Sequence, residues 1–203
     1  KAVRQSLLEL AVGSTDTTAK GIAGVVAKIL QFGSNLQEAV FHLLADQPDA
    51  LKLLQAWIAQ PALRLQLTVP MNALLEQVAL KCLYMNPVAP LLPRFCLNGA
   101  TYVSSVGETL NIEPGAMVCL VPQVTLLMEL QQKLPWSNGR YLFMSDSPHA
   151  CMGRQIALLE IREALKMLLT LPNVRPAAGP AGMLLEKYRL PASMWLRCVI
   201  SAG

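Results

Sequence analysis

The chain has 203 residues, of which 53% are apolar and only 15% are charged, and its mean hydropathy is +0.40. Soluble domains of this size normally carry a more charged surface, so we expect apolar helix faces to be covered by a segment that lies outside this sequence. The net charge of +4 is small and unclustered, which gives no electrostatic basis for binding nucleic acid.

Apolar residues recur at helical spacing through the first part of the chain, and this periodicity predicts helices. We expect a long helix over residues 2–32, interrupted by a polar segment at residues 13–18. Further helices are expected within residues 35–85, and they should end before Pro87. Short β-favouring runs between glycines then predict small antiparallel strands over residues 97–121.

The last third of the chain predicts a loop, a helix and a hairpin. Residues 141–169 should form a loop and then a helix that begins near Cys151. Four leucine and isoleucine residues should share one face of that helix: Leu158, Ile161, Leu165 and Leu168. Residues 183–200 predict a β hairpin that turns at Pro191-Ala192. The sequence therefore predicts a single mainly α domain with small antiparallel β sheets (α+β) over residues 1–203.

The segment around Cys151 has the residue types of a thiolate ligand site. Cys151 follows a turn that contains Pro148, and it stands at a predicted helix start. Backbone N–H groups and the positive end of a helix favour negative charge at such a position. Gly153 leaves room for a flat group to approach. Taken alone, a cysteine at such a position is more often a small apolar residue that only packs at a helix start.

Together with the helix that follows, this segment resembles the haem-binding segment of the cytochrome P-450 family. His149 stands at the family's basic position two residues before the cysteine, and Gly153 stands at the glycine two residues after it. The small residue Ala157 and the acidic residue Glu160 follow on the helix. The resemblance implies that Cys151 is the iron ligand of haem b, and that His149, Gly153 and Ala157 help to hold the haem.

The haem segment departs from the family pattern at three positions. Met144 stands where the family has phenylalanine, and Ser145 and Ser147 stand where it has glycines. Serine is small enough for a tight loop, although it adopts positive φ less readily than glycine. Met144 keeps a soft apolar contact near the sulfur, so the resemblance implies a haem contact there.

The polar segment at residues 13–18, Gly-Ser-Thr-Asp-Thr-Thr, resembles the oxygen-activation segment of the same family. Gly13, Asp16, Thr17 and Thr18 match, while Ser14 replaces the usual glycine. The resemblance implies that Gly13 lies beside the haem, that Asp16 delivers protons and that the Thr17 hydroxyl holds bound dioxygen. Alone, such a hexapeptide is equally compatible with a helix interruption that has no function.

A third family motif, a Glu-x-x-Arg pair, is expected seventy residues before the ligand cysteine, and here Lys81 and Tyr84 replace it. Lysine and tyrosine cannot form a carboxylate–guanidinium fork. Either an ammonium–hydroxyl bond substitutes for the fork, or the core on that side is weaker. Downstream, Arg94 resembles the family's haem-propionate arginine. The alternative for Arg94 is an ordinary solvated arginine.

The resemblance covers the whole chain in the right order, and it corresponds to the C-terminal, haem-binding half of the P-450 fold. It implies a missing N-terminal half and a monooxygenase that inserts one oxygen atom from O2 into an apolar substrate such as a lipid, steroid, fatty acid or xenobiotic. A ferredoxin or flavoprotein reductase would donate electrons. Arg154, Arg162 and Lys166 could receive an acidic partner, although an ordinary solvated helix face explains each of them as well.

Two other functions stay open. One is a hydroperoxide-using or hydroperoxide-rearranging haem-thiolate enzyme, which has no need of Asp16 and Thr17. The other is a degenerate, non-catalytic haem-binding protein, which the replacements at Lys81 and Tyr84 suggest.

The location of the protein is predicted only in outline. The five cysteines form no Cys-x-x-Cys pair, which predicts neither a disulfide framework nor a zinc site and indicates a reducing, intracellular compartment. No uninterrupted run of about 18 apolar residues occurs. We therefore expect the protein in the cytoplasm, or anchored to a membrane through a segment not in this sequence.

Overall fold

The structure is a computed structural model that describes residues 17–89, 92–104, 106–121, 142–143 and 150–177, together with the backbone of three short strands in residues 185–197. The chain forms two compact units, one of residues 1–88 and 137–203 and the other of residues 89–136. Helices and small antiparallel sheets are both present, so the predicted α+β class is confirmed. None of the described helices is long and apolar enough to cross a membrane.

The first helix, α1, covers residues 17–29 and continues into a 3₁₀ turn at Leu30–Phe32. Three of the apolar residues that predicted it are almost fully buried: Val25, Val26 and Ile29. Gly33 follows this turn, and the backbone of α2 approaches it closely. A Cβ atom on Gly33 would lie 2.7 Å from the backbone nitrogen of Ala39, so a larger residue does not fit there. The part of the predicted helix at residues 2–16 lies outside the described residues.

Helix α2, Leu36–Leu43, begins with a reciprocal cap. The side chain of Asn35 accepts a hydrogen bond from the Glu38 N–H at 3.0 Å, and the Glu38 carboxylate accepts one from the Ser34 N–H at 3.0 Å. Such caps satisfy the N–H groups that a helix start leaves unpaired. Hydrogen bonds from the Ser34 hydroxyl and then from its N–H lower the pKa of Glu38, and His42 adds a smaller effect in the same direction.

Helix α3, Pro48–Ala59, ends at a 3₁₀ turn, Pro61–Leu63, where an arginine caps it. The Arg64 guanidinium donates to the carbonyl of Trp57 at 3.1 Å and to the carbonyl of Ile58 at 3.2 Å. It also stacks on the Trp57 ring, 5.0 Å from the ring centroid. A cation therefore satisfies the last carbonyls of the helix, where the helix dipole favours positive charge.

Helix α4, Thr68–Met85, and the later helix α5, Arg154–Thr170, pack against each other and form the centre of the first unit. The buried row on α5 consists of four residues: Leu158, Ile161, Leu165 and Leu169. Leu168, predicted in that row, is only partly buried. At 3.6 residues per turn the residue four positions after Leu165 is closer to the centre of the face than the residue three positions after it.

Two hydrogen bonds join the start of α2 to the end of α5 and to the loop that follows it. The Leu36 N–H donates to the Val174 carbonyl at 2.8 Å, and the Gln37 side-chain amide donates to the Leu169 carbonyl at 2.8 Å. The second bond satisfies a carbonyl that the C-terminal end of α5 leaves unpaired. The two helices are thus fixed to each other although they lie far apart in sequence.

The C-terminal strands do not turn where the sequence predicts. Strand β6, Leu185–Lys187, pairs antiparallel with β7, Leu190–Ser193, while β5, Arg175–Pro176, pairs with β8, Leu196–Arg197. The predicted turn at Pro191-Ala192 is wrong, because both residues lie within β7. Proline is tolerated there since each strand of a two-stranded sheet is an edge strand.

The second unit consists of two antiparallel strand pairs. Strand β1, Leu92–Phe95, pairs with β4, Met117–Leu120, and β2, Ala100–Val103, pairs with β3, Thr109–Ile112. The β region therefore begins earlier than the predicted residue 97. Pro93 lies within β1 and disguises it in the sequence, since proline usually indicates that a strand has ended.

The thiol of Cys82 is buried in the core on α4, and this burial should appear in the alkaline stability of the chain. Burial raises its pKa from 9.0 to about 12, although the ammonium groups of Lys28 and Lys81 act in the opposite direction. The folded chain therefore keeps a proton that the unfolded chain loses above pH 9. We expect the free energy of unfolding to fall as the pH rises from 9 to about 12.

Chemical denaturation across that pH range, with Cys82→Ala and the exposed thiol variant Cys119→Ala in parallel, tests this expectation. Between pH 9 and about 12, the free energy of unfolding should fall less in Cys82→Ala than in Cys119→Ala. An identical pH dependence in the two variants would contradict it.

Candidate functional site

Cys151 lies in a short turn that leads into α5, and its side chain is exposed. Its N–H donates to the carbonyl of Phe143 at 2.8 Å, and its own carbonyl accepts a hydrogen bond from the Arg154 N–H at 3.3 Å. The helix expected to begin near Cys151 begins three residues later, at Arg154. The thiol therefore stands at the helix start, in a turn that is hydrogen-bonded on both sides.

The described residues beside the thiol are small or apolar. Among the described residues, the one atom within 4 Å of a Cβ atom on Gly153 would be the Cys151 sulfur, at 3.9 Å. Ala157 lies one turn further on, and its N–H donates to the Gly153 carbonyl at 2.8 Å. Met152 and Ile156 are 79% and 62% exposed. These residues fit a flat, largely apolar group that is held by one thiolate, which is how a haem binds through cysteine.

Phe143 organises the turn, and the sequence did not single it out for this role. Besides accepting the hydrogen bond of Cys151, it places its ring 5.5 Å from the guanidinium carbon of Arg154, within the range of a cation–π contact. Leu142 and Phe143 both pack against the hydrophobic core. The sequence feature that could have indicated this role is that Phe143 is an aromatic residue directly before Met144.

Helix α1 lies against α5 within the first unit. A Cβ atom on Gly21 would lie 3.6 Å from Ile161 of α5 and 3.6 Å from Val88. Thr17 is the first described residue and is exposed. It precedes Gly21 by four residues, so it lies one turn earlier on the same side of α1. The structure thus brings the helix of Thr17 next to the helix that follows Cys151.

Gly13, Asp16, Met144 and His149 lie outside the described residues, so their roles stay predictions. Arg94 lies on β1 in the second unit, where it is exposed and donates to the Pro93 carbonyl at 2.9 Å. Its role as a haem-propionate ligand is likewise still a prediction.

Two cations of α5, Arg162 and Lys166, share one carboxylate of the same helix. The Glu163 carboxylate lies 2.8 Å from the Lys166 ammonium and 3.3 Å from the Arg162 guanidinium. Hydrogen bonding from Lys166, with a smaller effect from Arg162, lowers the pKa of Glu163. The side chains of Arg162 and Lys166 are only 19% and 15% exposed. Docking of an acidic partner on these residues stays a prediction.

Lys81 and Tyr84, the two residues expected to replace a Glu–Arg pair, lie on α4. Lys81 on α4 donates from its ammonium to the carbonyl of Leu43, the last residue of α2, at 3.3 Å. A cation at the C-terminal end of a helix is favourable, because the last carbonyls lack partners and the dipole is negative there. Tyr84 is fully buried. Lys81 thus connects α4 to α2.

Among the residues that the structure describes, no three or more histidine, cysteine, aspartate or glutamate side chains are grouped so as to hold a metal ion. A haem iron needs only one protein ligand on one face, so this finding does not bear on the expected role of Cys151. No protein-family model matches this sequence, and no curated protein matches it.

Replacing Lys81 should weaken the connection between α2 and α4. We expect Lys81→Met to lower the free energy of unfolding by about 1–2 kcal/mol, because the Leu43 carbonyl loses a charged donor. Lys81→Arg should retain most of the stability. Lys81→Glu should be worse than Lys81→Met, because it places a negative group beside the carbonyl.

Equilibrium denaturation measures these differences, with Lys52→Met as the matched control. Lys52 pairs with Asp49 at 3.8 Å, both side chains are largely exposed, and such a pair contributes little. Equal losses for Lys81→Met and Lys52→Met would count against the connection.

Proposed function

We propose that this chain is the haem-binding part of a haem-thiolate monooxygenase of the cytochrome P-450 type. The observation that carries the proposal is the exposed Cys151 thiol at the start of α5, beside Gly153 and the exposed apolar residues Met152 and Ile156. The resemblance of residues 13–18 and of the segment around Cys151 to two family motifs supports the same conclusion.

The bound group would be haem b, with Cys151 as its iron ligand. By the resemblance, Gly153 and Ala157 would lie under its face, Met144 would lie near the sulfur, His149 would lie at its edge, and Arg94 would have the role of the family's propionate arginine. When bound through a thiolate, haem supplies the oxidising chemistry that inserts one atom of O2 into an apolar substrate.

The chain's own contribution to the chemistry would be the placement of protons. The Thr17 hydroxyl can donate and accept hydrogen bonds, and the neighbouring carboxylate of Asp16 can pass protons to it. The contact of Gly21 with Ile161 keeps the helix of Thr17 beside the helix of the thiolate ligand. Electrons would arrive from a ferredoxin or flavoprotein reductase.

A non-catalytic haem-binding protein is the second candidate, and the bond from Lys81 to the Leu43 carbonyl favours it, because this lysine occupies the position of a family glutamate. Product formation separates the candidates. A monooxygenase forms product with O2 and an electron donor, a peroxide-using enzyme forms it only with a hydroperoxide, and a non-catalytic protein forms none.

Thiolate ligation has a direct spectroscopic test. The haem-loaded protein, reduced and exposed to carbon monoxide, should show the strongly red-shifted haem band that a thiolate ligand produces in this family. Cys151→Ser should lose that band, because a serine hydroxyl is not an equivalent anionic sulfur ligand. Cys119→Ser, which changes another exposed thiol, should keep it. Absence of the band in the unchanged protein would overturn the proposal.

Thr17 has a separate kinetic test. We expect Thr17→Ala to lower the ratio of product formed to O2 consumed by roughly tenfold or more, because positioned proton transfer contributes about 10²–10⁴-fold to such steps. Thr17→Ser keeps the hydroxyl and should restore the ratio, and Thr18→Ala is the control for a change in the same helix. An unchanged ratio in Thr17→Ala would argue for peroxide chemistry.

A further inference from the structure

The turn that carries Cys151 is not held in place by burial of its own side chains. Cys151 is exposed, and Met152 is 79% exposed. Apolar burial fixes a segment only in proportion to the area removed from water. Among the described residues, polar and ring contacts are therefore what holds the thiol relative to α5.

Phe143 supplies that interaction through two different groups. Its carbonyl accepts the Cys151 N–H at 2.8 Å, and its ring lies 5.5 Å from the Arg154 guanidinium. Arg154 closes the other side of the same turn, since its N–H donates to the Cys151 carbonyl at 3.3 Å. Phe143 itself is partly buried against the core. The two contacts therefore tie both sides of the turn to a residue that packing has fixed.

We propose that Phe143 and Arg154 form a clamp that positions the Cys151 thiol, and that the ring–guanidinium contact keeps the Cys151 N–H bonded to the Phe143 carbonyl. The proposal rests on the proposed function for its consequence, which is that the clamp keeps the thiolate in place as a haem ligand. Both residues act through Cys151 and are positioning residues. A cation–π contact of this kind shifts an equilibrium by about three- to thirtyfold.

The clamp is tested first without haem, by hydrogen exchange at the Cys151 amide. Phe143→Leu removes the ring but keeps the carbonyl and the apolar volume, while Arg154→Gln removes the cation. Each should speed exchange at this amide by about three- to thirtyfold, because the hydrogen bond opens more often. Arg154→Lys and Phe143→Tyr keep a cation and a ring and should exchange nearly as slowly as the unchanged chain.

Two variants control for general loss of stability. Phe41→Leu alters a partly buried phenylalanine on α2 that packs against the same core, and Arg162→Gln removes another arginine of α5. Neither should change exchange at the Cys151 amide relative to the amides of α5. The double variant Phe143→Leu/Arg154→Gln should exchange more slowly than the product of the two single effects, because both changes break the same ring–guanidinium contact.

The haem-loaded protein tests the consequence. Phe143→Leu and Arg154→Gln should each raise the share of the carbon monoxide complex that lacks the red-shifted band, while the conservative variants keep it low. Unchanged exchange in both variants, or additive effects in the double variant, would overturn the clamp. Faster exchange with an unaltered band would overturn its role in ligation. Faster exchange in both variants would still support the clamp if the unchanged protein showed no red-shifted band. That combination would contradict the proposed function instead.

Discussion

The packing of α5 against α4 is the interaction on which the rest of the first unit depends. Four side chains of α5, Leu158, Ile161, Leu165 and Leu169, are almost fully buried, and each such burial contributes about 1.5–3 kcal/mol. This exceeds the net contribution of a typical uncharged hydrogen bond, about 1 kcal/mol. The buried row therefore fixes the axis and rotation of α5, and with them the position where the turn of Cys151 must begin.

Polar contacts adjust what packing has placed, and in this chain they concentrate at helix ends. Gln37 satisfies a carbonyl at the end of α5, Lys81 satisfies one at the end of α2, and Arg64 satisfies two at the end of α3. Each long side chain reaches a carbonyl that lacks a helical partner. The same principle operates at the thiol turn, where backbone groups of Phe143 and Cys151 pair outside any helix.

Periodicity in the sequence predicted the helices well, because burial of one face leaves a spacing that survives in the residue order. The strands were harder to predict. Pro93 lies within β1, where the sequence predicted no strand. Pro191 predicted a turn but lies within β7. Proline reliably argues against a strand only where the strand would be central in its sheet. A two-stranded sheet has no central strand, so proline can lie within either of its strands. Whether a strand is central depends on its neighbours, which local sequence does not reveal.

The sequence by itself determined the helical composition, the cysteine at the start of a helix and the glycine beside it, because these depend on residue types at fixed local spacing. Only the tertiary structure decided that Lys81 reaches the Leu43 carbonyl, that Gly21 faces Ile161, and that Phe143 contacts both sides of the Cys151 turn. The partners in these contacts belong to different segments, and the folded core determines which segments meet. For Cys151, the residue order supplied the thiol, and the packing of α5 and Phe143 supplied its position.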